Sequence, residues 1–481
     1  MRKTKRALKL QKLTPSFYEN LTLFGIPLLF VFLLKIAGFD GLYGQDSYEY
    51  LRYTIAIQDY IVGGEHPGHY FWPVLYPTLG SGLSFIMDSA FALQLISCLT
   101  FSIASLYVLK TIRLLYSNSR VTFLYVYIFV LLSPFLLKMS LIVMSDALAL
   151  VFIVLSFYFF FKSYYKKTSL APVFIFATCA LMTRYASLFV TFPILIYTLY
   201  LVINRRQFQQ LFIAILLSFI VAIPFLIFQW AALFEASSNY FLKVWSVSNY
   251  FKSSYTTEDG TQHYLFPNLL HTFYLFFHPG FLCIGFFLSA ITLRDYKTRI
   301  TFHQTILILC SALYILFLAG IPFQNPRILG LVFPLVLIWF FPAFQKLMNM
   351  AMVKAFFTPL KMACIGLQVA FFTMTFHHIF SRTLIEKEIA TMITPYQGKT
   401  LYSFDVDMAM QGRGLDFKFK NMYTARYYDF KEQDLILFDP ARHKVQWKDK
   451  NPMLNWEFIK ENYVLEVLET HPEGWKLYQI Q

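Results

Sequence analysis

Residues 38–82 read GFDGLYGQDSYEYLRYTIAIQDYIVGGEHPGHYFWPVLYPTLGSG. Asp40, Asp46, Glu49, Asp59 and Glu65 stand here with Arg52, His66 and His69, among tyrosines, prolines and Trp72. On both sides the chain turns apolar for a membrane-length distance, from Leu21 to Gly38 before the stretch and over residues 89–112 after it. A polar segment enclosed by two stretches long enough to cross a bilayer reads as a loop at the membrane surface. That reading makes the chain a polytopic α-helical membrane protein whose working end lies at this loop.

The composition agrees. Of 481 residues 57% are hydrophobic and only 14% charged, against about 25% charged in soluble domains. The formal charge of +14 looks at first like a nucleic-acid signal. Mapped onto the chain, the basic excess falls in the N-terminal arm MRKTKRALKLQK and in alternate connectors. These hold Lys110, Arg113 and Arg120; Lys162, Lys166 and Lys167; Arg205 and Arg206; Arg294, Lys297 and Arg299; and Lys346 and Lys354. Basic connectors on one side of a membrane follow the positive-inside rule and attract anionic lipid. No nucleic acid is called for.

Apolar segments place spans near 21–38, 89–112, 121–138, 145–162, 169–183, 186–203, 211–233, 268–293, 302–321, 328–345 and 357–379. This is an expectation of about eleven transmembrane helices, with the N-terminus inside and the C-terminus outside. The first segment is long for a signal-peptide core and reads as an uncleaved anchor. Residues 1–380 then form one transmembrane domain with 38–82 as its large first outer loop. From about Thr394 charged residues become frequent and the apolar runs shorten. KTLYSFDVD, DLILFDP and WKLYQI read as strands, and NPMLNWEFIKENY as a helix with Asn455 as its cap. Residues 394–481 thus form a small soluble α/β domain on the outer face.

Asp46, Glu49 and Tyr50 share one face if their segment is helical. A carboxylate at the edge of hydrocarbon is well placed to accept a proton; the plainer reading is a capping or solvated loop acid. Asp146 opens a span in SDALALVFIVL, where it either caps that helix or faces Asp46 as a second acid, since ionisable groups in spans mark working sites. Arg327 follows Asn325 and Pro326 at a helix start, and Arg184 sits in LMTRYASL. Each is a snorkelling anchor or a grip for phosphate, with Lys138 as a possible helper. Glu65, His66 and His69 carry the elements of a divalent metal site, but Pro67 and Gly68 make a turn there, and interfacial hydrogen bonding is the better reading. Asp405-Val406-Asp407 has the form of a metal-binding DxD pair, yet reads as a strand end. The five cysteines lie in apolar segments without ligand spacing and are read as buried small residues. No phosphate-binding glycine loop is present, and no cofactor is called for.

The order of these features resembles the GT-C superfamily of integral-membrane glycosyltransferases. It is nearest the bacterial branch related to protein O-mannosyltransferases and lipid A aminoarabinose transferases. The resemblance spans roughly the first 345 residues. It rests on the early Asp of the first outer loop, on YFWPVLYPTLG closing that loop, on MSDALAL and TRYASL, and on NPRILGLVFP before a late span. It implies a bacterial inner-membrane enzyme using a polyprenyl-phosphate-linked sugar donor. The sugar would pass, with inversion, to a hydroxyl of a glycan, lipid or protein on the outer face. On these residues the resemblance makes Asp46 the general base, with Asp146 orienting and Glu49 sharing the work. Arg327, with Arg184 and Lys138, would hold the donor phosphate, and Tyr43, Tyr70, Trp72 and Tyr76 would line a groove for sugar or prenyl chain. Gln45 precedes Asp46 where better-known relatives carry two adjacent acids. Two other classes fit the hydropathy alone: a flippase of a lipid-linked sugar, which calls for internal repeats and mid-membrane breaks, and a non-catalytic scaffold subunit.

Overall fold

The computed structural model describes residues 16–68, 70–116, 120–230, 240–296 and 300–481. Helix α1 (Phe17–Ile36) opens on a capping box in which Ser16 and Glu19 satisfy each other's backbone amides, the reciprocal arrangement that fixes a helix start. The first loop is itself largely helical. It contains α2 (Gly44–Ile61) and α3 (Leu75–Ser84). Next come α4 (Ser89–Leu115), α5 (Arg120–Val126), which runs into a π-turn over Tyr127–Leu131, and α6 (Pro134–Leu141). Then follow α7 (Asp146–Lys166), α8 (Ala171–Leu181), α9 (Ser187–Asn204) and α10 (Phe208–Phe228).

The second large loop holds α11 (Tyr240–Val244) and an antiparallel hairpin of β1 (Ser254–Thr257) and β2 (Gly260–His263). It leads into α12 (Asn268–Thr272), α13 (Tyr274–Phe277) and α14 (Gly285–Tyr296). The remaining helices of this part are α15 (Phe302–Ala319), α16 (Pro326–Leu329), α17 (Phe333–Asn349), α18 (Ala351–Ala355) and the long α19 (Phe357–Ile393).

Among the described residues seven helices are long and apolar enough to cross a membrane, or eight if the pair bent by 65° around Pro134 is one span. The sequence had suggested about eleven. The shortfall has a physical cause at each place. The stretch 169–183 yields only α8, because the chain turns at Thr183 and Arg184. The stretch 268–293 breaks at His278, Pro279 and Gly280, where proline cannot continue a helix. The stretch 328–345 bends at Gly330, so α17 starts only at Phe333. There Phe333, Leu335, Val336, Leu337 and Phe341 are wholly buried inside the protein. An apolar run is satisfied by protein as readily as by lipid, so hydropathy alone does not separate a long straight span from a short or broken apolar helix.

The C-terminal part is a five-stranded mixed sheet, in the order β4-β3-β5-β7-β6. Its elements in chain order are β3 (Thr400–Ser403), α20 (Asp407–Gly412), β4 (Lys418–Asn421), β5 (Leu435–Phe438), α21 (Pro440–His443), α22 (Asn451–Asn462), β6 (Leu465–Thr470) and β7 (Lys476–Ile480). Strand β3 is parallel to β4 and β5, and β7 is antiparallel to β5 and β6. Asn455 does not cap α22, which starts four residues earlier. It is buried, and its amide group bonds the carbonyls of Met422 and Ala425 and the amide of Tyr427, tying the β4–β5 connection to the helix.

Candidate active site

Helix α2 starts just after Gly44 turns the chain at a φ of +65°. Its first turn carries Asp46. Asp146 opens α7, preceded by Ser145. Arg327 lies on α16, whose start is capped by the Asn325 side chain accepting the Arg327 amide at 3.0 Å. These three elements meet. One terminal nitrogen of Arg327 bonds Asp46 Oδ2 at 2.8 Å, and its Nε lies 3.4 Å from Asp146 Oδ2. Arg184, from the turn between α8 and α9, completes the group with its Nε 3.1 Å from Asp146 Oδ1.

Burial divides the labour. The Asp146 side chain is 0% exposed and Arg184 15%, whereas Asp46 and Arg327 are 27% and 29% exposed. A fully buried carboxylate needs compensation, and Asp146 has two guanidinium groups. The Ser145 side chain makes no capping bond to the first turn of α7, and the Asp146 carboxylate is held by the two guanidinium groups. Asp46 and the outer side of Arg327 face the accessible side. Burial would lower the pKa of Arg327, but Asp146 and Asp46 outweigh it and push the pKa up, so this cation is permanent.

Polar contacts hold the three elements in register. Tyr50, one turn after Asp46, shares a 2.7 Å bond with Ser145 Oγ, which also receives Arg184 Nε at 3.3 Å. Ser47 Oγ donates to the Val143 carbonyl at 2.9 Å, and Gln94 donates to Leu141 at 2.7 Å. Ser145 and Tyr50 are the pieces sequence reading undervalued. The signal was present in Tyr50 sharing the Asp46 face and in the serine preceding Asp146.

The other expected site residues fall elsewhere. Glu49 is held by Arg52 at 2.8 Å and takes no part in the cluster of Asp46, Asp146, Arg184 and Arg327 among the described ion pairs. Lys138 makes no ion pair among the described residues, and its ammonium lies over the Phe135 ring at 4.5 Å. Helix α16 has only four residues, too short to present a helix dipole to an anion beside Arg327. Tyr70 stacks on Tyr53 with centroids 4.0 Å apart, Trp72 packs edge-on to Phe71, and the carbonyls of Tyr70 and Trp72 both accept from Gln229. Tyr76 lines no groove: its side chain is wholly buried and its hydroxyl donates to the Leu93 carbonyl at 2.9 Å. His66 accepts the Gly68 amide at 3.2 Å; Glu65 is exposed, and His69 lies outside the described residues. No group of three metal-ligating side chains forms among the described residues.

A second ionic cluster joins the C-terminal domain to the first loop, and nothing in the sequence reading anticipated it. Glu386 of α19, buried to 1%, accepts Tyr48 at 2.6 Å and Arg382 at 2.7 Å. Arg413, just after α20, donates to Tyr48 at 2.7 Å and to Asp40 at 2.9 Å. Lys387 reaches Asp40 at 3.2 Å. Burial and the neighbouring Glu386 push the Tyr48 pKa well up, so its hydroxyl keeps its proton and donates it to Glu386. The packing is equally close, for a Cβ on Gly412 would lie 2.6 Å from Tyr48 Cδ1. Tyr48 is two residues from Asp46, so the C-terminal domain braces the helix that carries the exposed acid. An Arg382–Glu386 pair at i, i+4 directly after the apolar length of α19 is the signal that would have found it.

A multi-span helical core, an acid–guanidinium cluster where its helix ends meet and a mixed-sheet domain bonded to the first loop together make up the site. Residues 66–230 match the dolichyl-phosphate-mannose-protein mannosyltransferase family. The crystal structure of ArnT from Cupriavidus metallidurans bound to undecaprenyl phosphate superposes with a TM-score of 0.61 at 10% identity, over 94% of this chain and 97% of that one. The apo state of the same protein gives 0.56 over the same shares, also at 10% identity. At that identity the likeness concerns the fold. No curated protein matches the chain by sequence.

Proposed function

We propose that the chain moves a sugar from a polyprenyl-phosphate-linked donor to a hydroxyl of a glycan, lipid or protein acceptor. Transfer takes place, with inversion, on the outer face of a bacterial cytoplasmic membrane. The observation that carries this reading is the convergence of Asp46, Asp146, Arg184 and Arg327 from four separate chain segments. Asp46 takes the proton of the acceptor hydroxyl as its oxygen attacks the anomeric carbon. The bond from that carbon to the phosphate oxygen breaks, and the prenyl phosphate leaves against Arg327, whose cation stabilises the charge. Asp146 and Arg184 fix the guanidinium in place. Because Arg327 holds Asp46 by one bond, an arriving phosphate competes for that guanidinium and releases the carboxylate as a base.

The finer topology belongs to the same proposal. Counting the short α8, the broken segment 268–296 and α17 as crossings gives an odd number, with the N-terminus inside and the sheet domain outside. The undecaprenyl phosphate bound by ArnT supports a donor of the same kind here.

The test is Asp46→Asn, which keeps shape and removes the base. Turnover falls on the order of 10²–10⁴-fold, the range of a lost general base, while prenyl-phosphate binding, measured by tryptophan quenching, is retained. Unchanged turnover would remove Asp46 from the mechanism.

A further inference from the structure

A cavity of about 490 Å³ lies where the sheet domain, the end of α19 and the start of α2 come together. That volume is in the range of roughly 300–1,000 Å³ usual for small-molecule sites. Among its lining residues are Tyr43, His377, His378, Arg382, Asp405 and Arg442. Its place in the sheet domain is telling. The chain leaves β3 for β4 on one side and later returns to β5 on the other, so the strand order reverses at β3. In open α/β sheets ligands bind outside the carboxyl ends of the strands at such a reversal. Asp405 follows the carboxyl end of β3, and Arg442 stands on the helix that follows β5. The cavity occupies that crevice.

The backbone agrees. Asp405 has a φ of +70°, a costly conformation for a residue with a side chain, of the kind that clusters at ligand clamps. Its carboxylate receives Arg382 at 3.0 Å and stands 3.6 Å from Arg442. The Arg442 side chain is 44% exposed and lines the cavity.

We infer that this crevice holds the glycan part of the acceptor. The inference rests on the reading of the chain as a glycosyltransferase. Arg442 and two exposed imidazoles offer donors, Asp405 and the exposed Glu473 offer acceptors, and Tyr43 adds an aromatic ring, while Arg382 is committed to Glu386 and Asp405. A polyhydroxylated ligand both donates and accepts, so it satisfies every one of these groups. A phosphate would meet two carboxylates, and a cationic ligand two arginines. The wall at Tyr43 and Gly44 is the start of α2, so a glycan seated here lies against the helix end that presents Asp46. Asp405, alone of the Asp405-Val406-Asp407 stretch, lines this crevice.

The test uses the full chain in lipid nanodiscs and, as probe, oligosaccharides released by mild acid from the envelope of the cells that carry it. Binding is followed by saturation-transfer NMR. The wild type binds, Arg442→Ala weakens binding by about tenfold or more, and Ser381→Trp, which fills the cavity, abolishes it. Asp46→Asn binds as the wild type does while losing transfer. No binding by the wild type, or unchanged binding in both crevice variants, overturns the inference. Normal transfer by Asp46→Asn overturns the catalytic reading and leaves the crevice result standing on its own.

Discussion

Asp146 makes a prediction that separates structure from chemistry. It is wholly buried and touches two partly buried arginines, of which Arg327 is the more exposed. Removing a partner from a buried ion pair costs about 3–5 kcal/mol, because the remaining charge is stranded. Arg184→Ala leaves Asp146 with Arg327, so its cost falls at the lower end of that range and appears as a drop of several degrees in the thermal midpoint of the detergent-solubilised protein. Arg327→Ala loses less stability for its greater exposure, and raises the donor KM by tenfold or more in a transfer assay. If both variants shifted only the midpoint, Arg327 would be a structural cation. These residues were legible in the sequence because charges in apolar segments are few. Their pairing was not, since Asp46 and Arg327 are 281 positions apart and only the fold brings them together.

At the level of elements, the junction between β3 and α20 carries a titration that can be measured. Asp407 starts α20, is buried, and accepts Asn421 at 2.6 Å. Burial pushes its pKa up to about 6 from 3.8, so the folded domain prefers it protonated. Its contribution therefore improves as pH falls from above 6 to below 4. His443, packed against Phe404 and Phe438, is held down to about 4 from 6.5 by burial. Its contribution is lost over nearly the same window, as acid protonates a buried ring. The two largely cancel in the wild type. Asp407→Asn should thus raise stability at pH 7.5 by up to about 3 kcal/mol and unmask a loss on acidification toward pH 4, read by thermal melts across that range. A variant with the wild-type pH profile would show that Asp407 is hydrated and ordinary. Strands β3, β5 and β7 were readable because LYSF, LILF and KLYQI are apolar enough to sit in a sheet interior. The edge strands β4 (KFKN) and β6 (LEVLET) were not, since their charged residues face solvent and suppress the pattern.

For the whole molecule, the sidedness of the site follows from how helix ends are joined. Arg113 near the end of α4 is bonded to Glu19 at the start of α1 at 2.6 Å, so those two ends share one face. Arg205, after α9, donates to the Ser163 carbonyl near the end of α7, which puts those two ends together. Helix α7 has 21 residues, a length of about 31 Å, enough to set Lys166 across the hydrocarbon from Asp146. The sheet domain is tied to the first loop through Arg413, which donates to Asp40 and Tyr48, and so lies on the Asp146 side. The proposed topology makes that other face, which carries the basic connectors, the cytoplasmic one. Single cysteines read this directly, because among the native cysteines Cys98, Cys179, Cys310 and Cys364 are buried and Cys283 is half-buried. Glu258→Cys in the second loop and Lys448→Cys in the sheet domain, both exposed positions, should react with a membrane-impermeant maleimide in intact cells. Lys166→Cys should react only after permeabilisation. The reverse pattern would place the acid–guanidinium cluster on the cytoplasmic face, where an acceptor outside the cell is out of reach. Labelling of all three in intact cells would mean that α7 does not cross the membrane at all.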